Sequence, residues 1–166
     1  YNYVSLQSQV YTPRWVVQFL VDNSLGKLYL EMYPDSHIKK QFKIANASES
    51  RTRRIKPLHE VRIIDPACGS GNFLYLALKL LKDFEHQVIL EIENLGLNRE
   101  IPQVGPQAVL GLEISPYAAE LARVTVWIGE IQWMKQNGFE PHENPILRPL
   151  NNIQCVDSLL IRKPHP

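Results

Sequence analysis

The feature that most constrains this 166-residue chain is a change of pattern around Asp65. Upstream, Val61, Arg62, Ile63 and Ile64 form a short β-branched run. Downstream, Gly69 and Gly71 lead into Phe73, Leu74, Leu76, Ala77, Leu78, Leu80 and Leu81. That order predicts a buried strand, a glycine turn and a helix. Glycines at such a junction admit positive φ and let a backbone approach a ligand, while the start of the following helix offers unpaired N–H groups to a carboxylate or phosphate. The pattern then recurs. Ala108 to Glu113 reads as a second strand, Ser115 is placed to cap the next helix, and Pro116 suits its first position. Tyr117, Leu121, Val124, Ile128 and Ile131 recur at helical spacing and predict one face of a buried helix. A connection with Pro141, Pro145 and Pro149 precedes a third expected strand, Ile153 to Val156. Strands alternating with helices imply right-handed crossovers and a parallel sheet, an α/β fold.

Ahead of this core, a first helix is expected from Pro13 to about Asn23, with Thr12 as cap, Val16, Val17, Phe19 and Leu20 as its apolar face and Gly26 as its stop. From Pro34 to Pro57 periodicity is lost, and Arg51, Arg53, Arg54 and Lys56 make the stretch basic; a solvated loop or weak helix is expected. The organisation is therefore one domain, with an N-terminal helix over 1–30, a polar basic insert over 31–58 and a βαβαβ core over 59–166. A chain of this length buries roughly two-thirds of its unfolded surface, enough for a folded unit. Eighteen Lys plus Arg against seventeen Asp plus Glu leave a net charge of +1, so no global field points to a polyanionic partner. Cys68 and Cys155 lack ligand or disulfide-framework spacing, the expectation for free thiols in a reducing cytoplasm. The five histidines share no ligand spacing, so no metal is expected. Neither an eighteen-residue apolar stretch nor a basic-then-apolar leader occurs, so no membrane association is expected. The first residue, Tyr1, is not Met, which suggests a segment excised from a longer chain.

By glycine spacing alone the turn is ambiguous. Leu74 stands where a dinucleotide-binding fingerprint has its third glycine, and Asn72-Phe73 stand where a phosphate-binding loop has Lys-Ser or Lys-Thr. The longer string Asp65-Pro66-Ala67-Cys68-Gly69-Ser70-Gly71-Asn72-Phe73-Leu74, however, resembles the first cofactor-binding motif of adenine-N6 DNA methyltransferases, including those of restriction-modification and related defence systems. Tyr11-Thr12-Pro13 followed by an apolar helix resembles the family motif at the methionine end of the cofactor. Its place upstream of the glycine turn resembles the γ-class order. Gly111-Leu112-Glu113-Ile114-Ser115-Pro116 resembles the second motif and Cys155-Val156-Asp157-Ser158-Leu159 the third.

The resemblance implies a partial class I, Rossmann-like S-adenosylmethionine-dependent methyltransferase fold, with S-adenosylmethionine as cofactor. Its implied cofactor-binding residues are Tyr11, Thr12, Pro13, Asp65, Pro66, Ala67, Cys68, Gly69, Gly71, Phe73, Glu113, Ile114, Asp157 and Ser158. A carboxylate ending the second parallel strand suits two ribose hydroxyls, the role expected of Glu113. Asp157 suits the exocyclic amine of adenine or, alternatively, a turn cap. Ile114 packs on the adenine face or in the core, and Asp65 orients the glycine loop or sits by the cofactor's amino group. Trp15, Trp127 and Trp133 fall on helices and are expected in the core, Trp15 near the methionine pocket.

The family's target-base pocket is built on an Asn or Asp, two prolines and an aromatic residue, and reads an adenine turned out of the duplex. No such string occurs; Asn144-Pro145 and Lys163-Pro164-His165-Pro166 come nearest. The chain is thus expected to end before its catalytic motif, to lack catalytic residues and to be inactive alone, with DNA as substrate of the full-length protein. Such a sheet would leave the Val61 strand one bare edge, to be met by self-association, by marginal stability or by covering from 31–57. Other expectations consistent with the cofactor half are a protein-glutamine or RNA-base methyltransferase, or a non-catalytic scaffold in a defence complex. A nicotinamide dehydrogenase is disfavoured by Leu74 and the Pro66-Ala67-Cys68 lead-in.

Overall fold

Parallel strands connected through helices organise the computed structural model, which describes residues 12–35, 42–45, 56–98, 100–140 and 149–160. The elements in chain order are α1 (Arg14–Val21), a π-helical turn (Asp22–Gly26), α2 (Lys27–Met32), β1 (Ile63–Asp65), α3 (Asn72–Asn94), β2 (Val109–Glu113), α4 (Pro116–Gln136) and β3 (Ile153–Cys155). The sheet order is β1-β2-β3, all parallel, with Ile63 opposite Val109 and Gly111 opposite Ile153. The second and third strands thus lie to one side of the first, as expected. The far edge of β1 has no strand partner among the described residues.

The core forms where α3 and α4 lie together on the sheet and α1 packs against α3. Leu74, Leu78 and Leu81 of α3, Val109 of β2 and Ile153 of β3 are fully buried there, with Val17 and Val21 from α1. Ser115 caps α4 as its sequence predicts, its hydroxyl accepting from the Ala118 N–H at 3.4 Å, and Pro116 opens the helix. Between α3 and α4 the Lys82 ammonium is buried, donating to Glu130 Oε1 at 2.9 Å and to the Val104 carbonyl at 2.8 Å. It also lies 4.5 Å from the centre of the Trp133 ring. Removing either charge would strand the other in a water-poor interface.

Four expectations need correction. The face predicted to be buried on α4 is its outer face: Tyr117, Leu121, Val124 and Ile128 are exposed and Ile131 is half-buried. The buried face is Ala118, Ala119, Ala122, Val126, Gly129, Glu130, Trp133 and Met134. At Gly129 α4 lies too close to α3 for a larger residue, since a Cβ there would stand 2.5 Å from Tyr75 Cδ2, while Trp133 and Met134 fill the same face further along. Gly26 does not end the first helical segment. Its φ is −60°, the helix continues to the buried Met32, and the missing side chain makes room for the Phe42 ring, which a Cβ would meet at 2.9 Å. The division between helix and insert placed at 30 and 31 therefore falls inside α2. Pro13, not Thr12, occupies the cap position of α1, without a side-chain cap bond, because the helix starts one residue later than expected. Trp15 is 73% exposed, whereas Trp133 is buried and Trp127 packs partly buried against the core. Tyr11 and the basic residues Arg51, Arg53 and Arg54 lie outside the described residues, and Lys56 is exposed.

Gly71 fixes how tightly α4 is drawn onto the turn. Its φ is +83°, and a Cβ there would meet the Ala122 backbone at 2.9 Å, whereas Gly69, with φ +52°, has open space where its Cβ would be. Gly69→Ala should therefore lose about 1–2 kcal/mol, the left-handed backbone term alone. Gly71→Ala should lose about 2–4 kcal/mol, because overpacking adds to it. Chemical denaturation of both variants checks this; equal losses would mean that the contact with α4 is not tight.

Candidate functional site

The parallel strands end on one side of the sheet, and there the chain leaves a crevice, the general position of ligand sites in open α/β sheets. A cavity of about 630 Å³ opens at this end, between the glycine turn, Glu113 and the inner side of α1. Its volume falls within the about 300–1,000 Å³ usual for small-molecule sites.

The floor is built from the turn itself. The Cys68 N–H donates to the Leu112 carbonyl at 3.0 Å, extending the β1–β2 pairing past the end of β1, and the Gly71 N–H returns to the Cys68 carbonyl at 2.8 Å. Gly111 has no side chain because the Cys68 Sγ and the Leu74 methyl lie 2.8 and 2.9 Å from where its Cβ would be. Packing on one side and hydrogen bonding on the other thus set the turn. Burial pushes the Cys68 thiol up to about 11, helped by the carboxylates of Asp65 and Glu113. At neutral pH it is a lining group and not a nucleophile.

Glu113, the last residue of β2, joins the two strand ends. Its Oε2 accepts from the Gly69 N–H at 2.9 Å and its Oε1 from the Ser115 N–H at 2.8 Å. Each carboxylate oxygen carries two lone pairs, so each keeps one beyond these bonds. Asp65 accepts from the Ala67 N–H at 3.1 Å through Oδ1, which closes the first bend of the turn. Burial raises its pKa above the ordinary 3.8; the Ala67 bond opposes that rise and the charge of Glu113 adds to it. Two carboxylates therefore border one cavity, an arrangement that favours a cationic occupant.

Of the residues expected from the sequence, Thr12, Asp65, Pro66, Ala67, Cys68, Gly69, Phe73 and Glu113 line this cavity. Gly71, the cap position of α3, stands between the lining residues Ser70 and Asn72 but does not itself line the cavity. Pro13, Ile114, Asp157 and Ser158 do not line it. Ile114 is 68% exposed, which removes the core-packing alternative, and Asp157 Oδ1 accepts from the Leu159 N–H at 2.9 Å, a turn cap beyond β3. Val17, Leu20, Ile64, Ser70 and Asn72 also line the cavity, although none of them is among the expected cofactor-binding residues. Val17 and Leu20 belong to the apolar face expected for α1, and their three-residue spacing is the signal that could have turned that face toward the glycine turn. Among the described residues no group of three or more His, Cys, Asp or Glu could hold a metal.

Comparison with known proteins gives this arrangement a family. The chain matches the family described as MmeI, DNA-methyltransferase domain, over residues 42–162. It is 33% identical over 127 residues to an adenine-specific methyltransferase, BrxX, of Escherichia coli O9:H4 (strain HS), covering 69% of this chain and 10% of that protein. It is 32% identical over 108 residues to DNA methyltransferase A of Bacillus subtilis (strain 168), covering 61% of this chain and 12% of that protein. The chain thus spans about a tenth of the length of these relatives. Among solved structures it is similar to the Type IIL restriction-modification enzyme MmeI in complex with DNA, at a TM-score of 0.52 and 22% identity, over 89% of this chain and 18% of that one. That likeness is one of fold, and it agrees with the parallel α/β architecture. With the matched stretch spanning well over half of its residues, the chain belongs to the family of MmeI-type DNA-methyltransferase domains.

Proposed function

We propose that this chain is the S-adenosylmethionine-binding part of an adenine-N6 DNA methyltransferase of a restriction-modification or related system. One observation carries the reading: the glycine turn, Glu113 and α1, distant in sequence, converge on a single cavity of about 630 Å³ at the strand ends. Family membership supports the reaction class, and the cavity has a volume and position that suit a methyl donor.

The donor set suits this cofactor. Gly69 turns an open, side-chain-free surface outward, so an adenosyl group can lie close to the backbone. The remaining lone pairs of Glu113 would accept from two ribose hydroxyls while its other pairs keep the turn in place. Asp65 would face the positive end of the ligand, and Val17, Leu20 and Phe73 would exclude water from it. Exposed Ile114 follows Glu113 directly and is offered to an adenine face, with Asp157 and Ser158 near the same end of the sheet. Tyr11 and Pro13 belong to the same proposed set by their motif. Bound there, S-adenosylmethionine supplies an electrophilic methyl group.

We assign no catalytic residue within this sequence. No Asn-Pro-Pro-aromatic or Asp-Pro-Pro-aromatic string occurs in it, so reading and positioning the flipped adenine falls to other parts of the full protein. DNA as substrate, a cytoplasmic site of action and self-association through the bare edge of β1 go with this reading as proposals. No helix among the described residues is long and apolar enough to cross a membrane.

Calorimetric titration with S-adenosylmethionine should give saturable, one-site binding, and Glu113→Ala should weaken it by about tenfold or more, the loss of charge-assisted hydrogen bonds. No heat at millimolar ligand would overturn the reading. Affinity should also depend on pH. Because burial raises the Asp65 pKa, acidification removes its charge at a higher pH than for an exposed aspartate. Affinity for the sulfonium cofactor should then fall as pH drops through that raised value, and affinity for S-adenosylhomocysteine, which lacks the sulfonium charge, should fall less. Asp65→Asn should flatten the difference; parallel pH profiles for the two ligands would contradict the assignment.

A further inference from the structure

We propose that Asn72 is a positioning residue, a latch that holds the N-terminal wall of the cavity against the glycine turn. The inference rests on the cofactor reading above for its consequence, and on geometry alone for its existence. Asn72 Nδ2 donates to the Thr12 carbonyl at 3.3 Å, across 60 residues of sequence, and both residues line the cavity.

Three features make this contact specific. The Thr12 carbonyl lies outside the ladder of α1, which begins at the Pro13 carbonyl with the Val16 and Val17 N–H groups. Its donor comes from outside the helix, and at this exposed position the Asn72 amide supplies it in competition with water. Pro13 fixes the backbone beside it and has no N–H of its own, so the approach to α1 is stiff and its carbonyl is presented in one direction. Asn72 is the first residue of α3, behind a glycine cap that offers no side chain, so its amide reaches across the mouth of the cavity. A carbonyl only accepts, which orients the amide nitrogen toward it.

The consequence concerns how the wall is held. Val17 and Val21 anchor α1 by apolar packing, which resists separation but does little to fix orientation. A directional hydrogen bond at the cavity end of α1 supplies what packing does not. Val17 and Leu20, which contribute α1 to the cavity lining, then keep their place whether or not a ligand is present. Preorganisation of this kind raises affinity by removing an ordering cost from binding.

Aspartate is nearly isosteric with asparagine but only accepts when ionised, so Asn72→Asp sets a carboxylate against the Thr12 carbonyl without changing packing. Asn72→Ala removes the bond and adds no repulsion. Both variants are made in the intact protein, and amide hydrogen exchange is followed without ligand across 14–21, with the buried part of α4 around Val126 and Trp133 as internal reference. The latch predicts exchange across α1 faster by about three- to tenfold in Asn72→Ala and by more in Asn72→Asp, the reference unchanged. Exchange unchanged in Asn72→Asp, or accelerated equally in α1 and α4, overturns it. Titration with S-adenosylhomocysteine, which avoids the sulfonium charge, should show affinity falling in the same order. Equal affinity in all three proteins overturns the link between latch and ligand. Absence of binding to the unaltered protein instead overturns the cofactor reading, and the exchange result still decides the latch.

Discussion

The Glu113 carboxylate, held between the N–H groups of Gly69 and Ser115, is the interaction on which the rest of the site depends. A buried or half-buried carboxylate needs donors, and here both come from backbone. One belongs to the turn after β1 and the other to the entry of α4, so a single side chain fixes the spacing between two strand ends. The turn is pressed from behind by α4, through Gly71 against Ala122, and from below by Leu74 and Cys68 against Gly111. The crevice is what remains when these approaches are satisfied together. Its shape follows from where side chains are missing as much as from where they are present.

Much of this was legible in the sequence. The stretch from Val61 to Leu81 specified strand, turn and helix because β-branched residues, glycines and an apolar helix face each carry a strong local preference, although β1 is not the buried strand expected, Ile64 being 60% exposed. Ser115-Pro116 marked the start of α4 for the same reason, and the three parallel strands followed from their alternation with helices. Eight of the thirteen lining residues are among those expected, and six of the eight, between Asp65 and Phe73, come with the turn.

What was not legible depended on distances between elements. Periodicity identifies α4 but points to the wrong face, because its large apolar residues at helical spacing outweigh Ala118, Ala119, Ala122 and Gly129 on the buried side. The close packing of Tyr75 on Gly129 and of Gly71 on Ala122 makes the face with the small residues, which also carries Trp133 and Met134, the inner one. Gly26 likewise resembled a helix stop until Phe42 was found against it, a contact between residues sixteen apart that local propensity does not encode. The buried Lys82, paired with Glu130 from a second helix, carries no sequence signal beyond an ordinary lysine in an amphipathic helix. The bond between Asn72 and Thr12 is of the same kind.

A crystal structure grown with S-adenosylmethionine bears most directly on whether this crevice is a methyl-donor site. The account predicts density for the nucleoside between Glu113 and the Gly69 turn, with the ribose within hydrogen-bonding distance of the carboxylate and the Gly69–Glu113 bond intact. A crevice filled by the protein's own side chains, or a nucleoside bound elsewhere with Glu113 untouched, would contradict it.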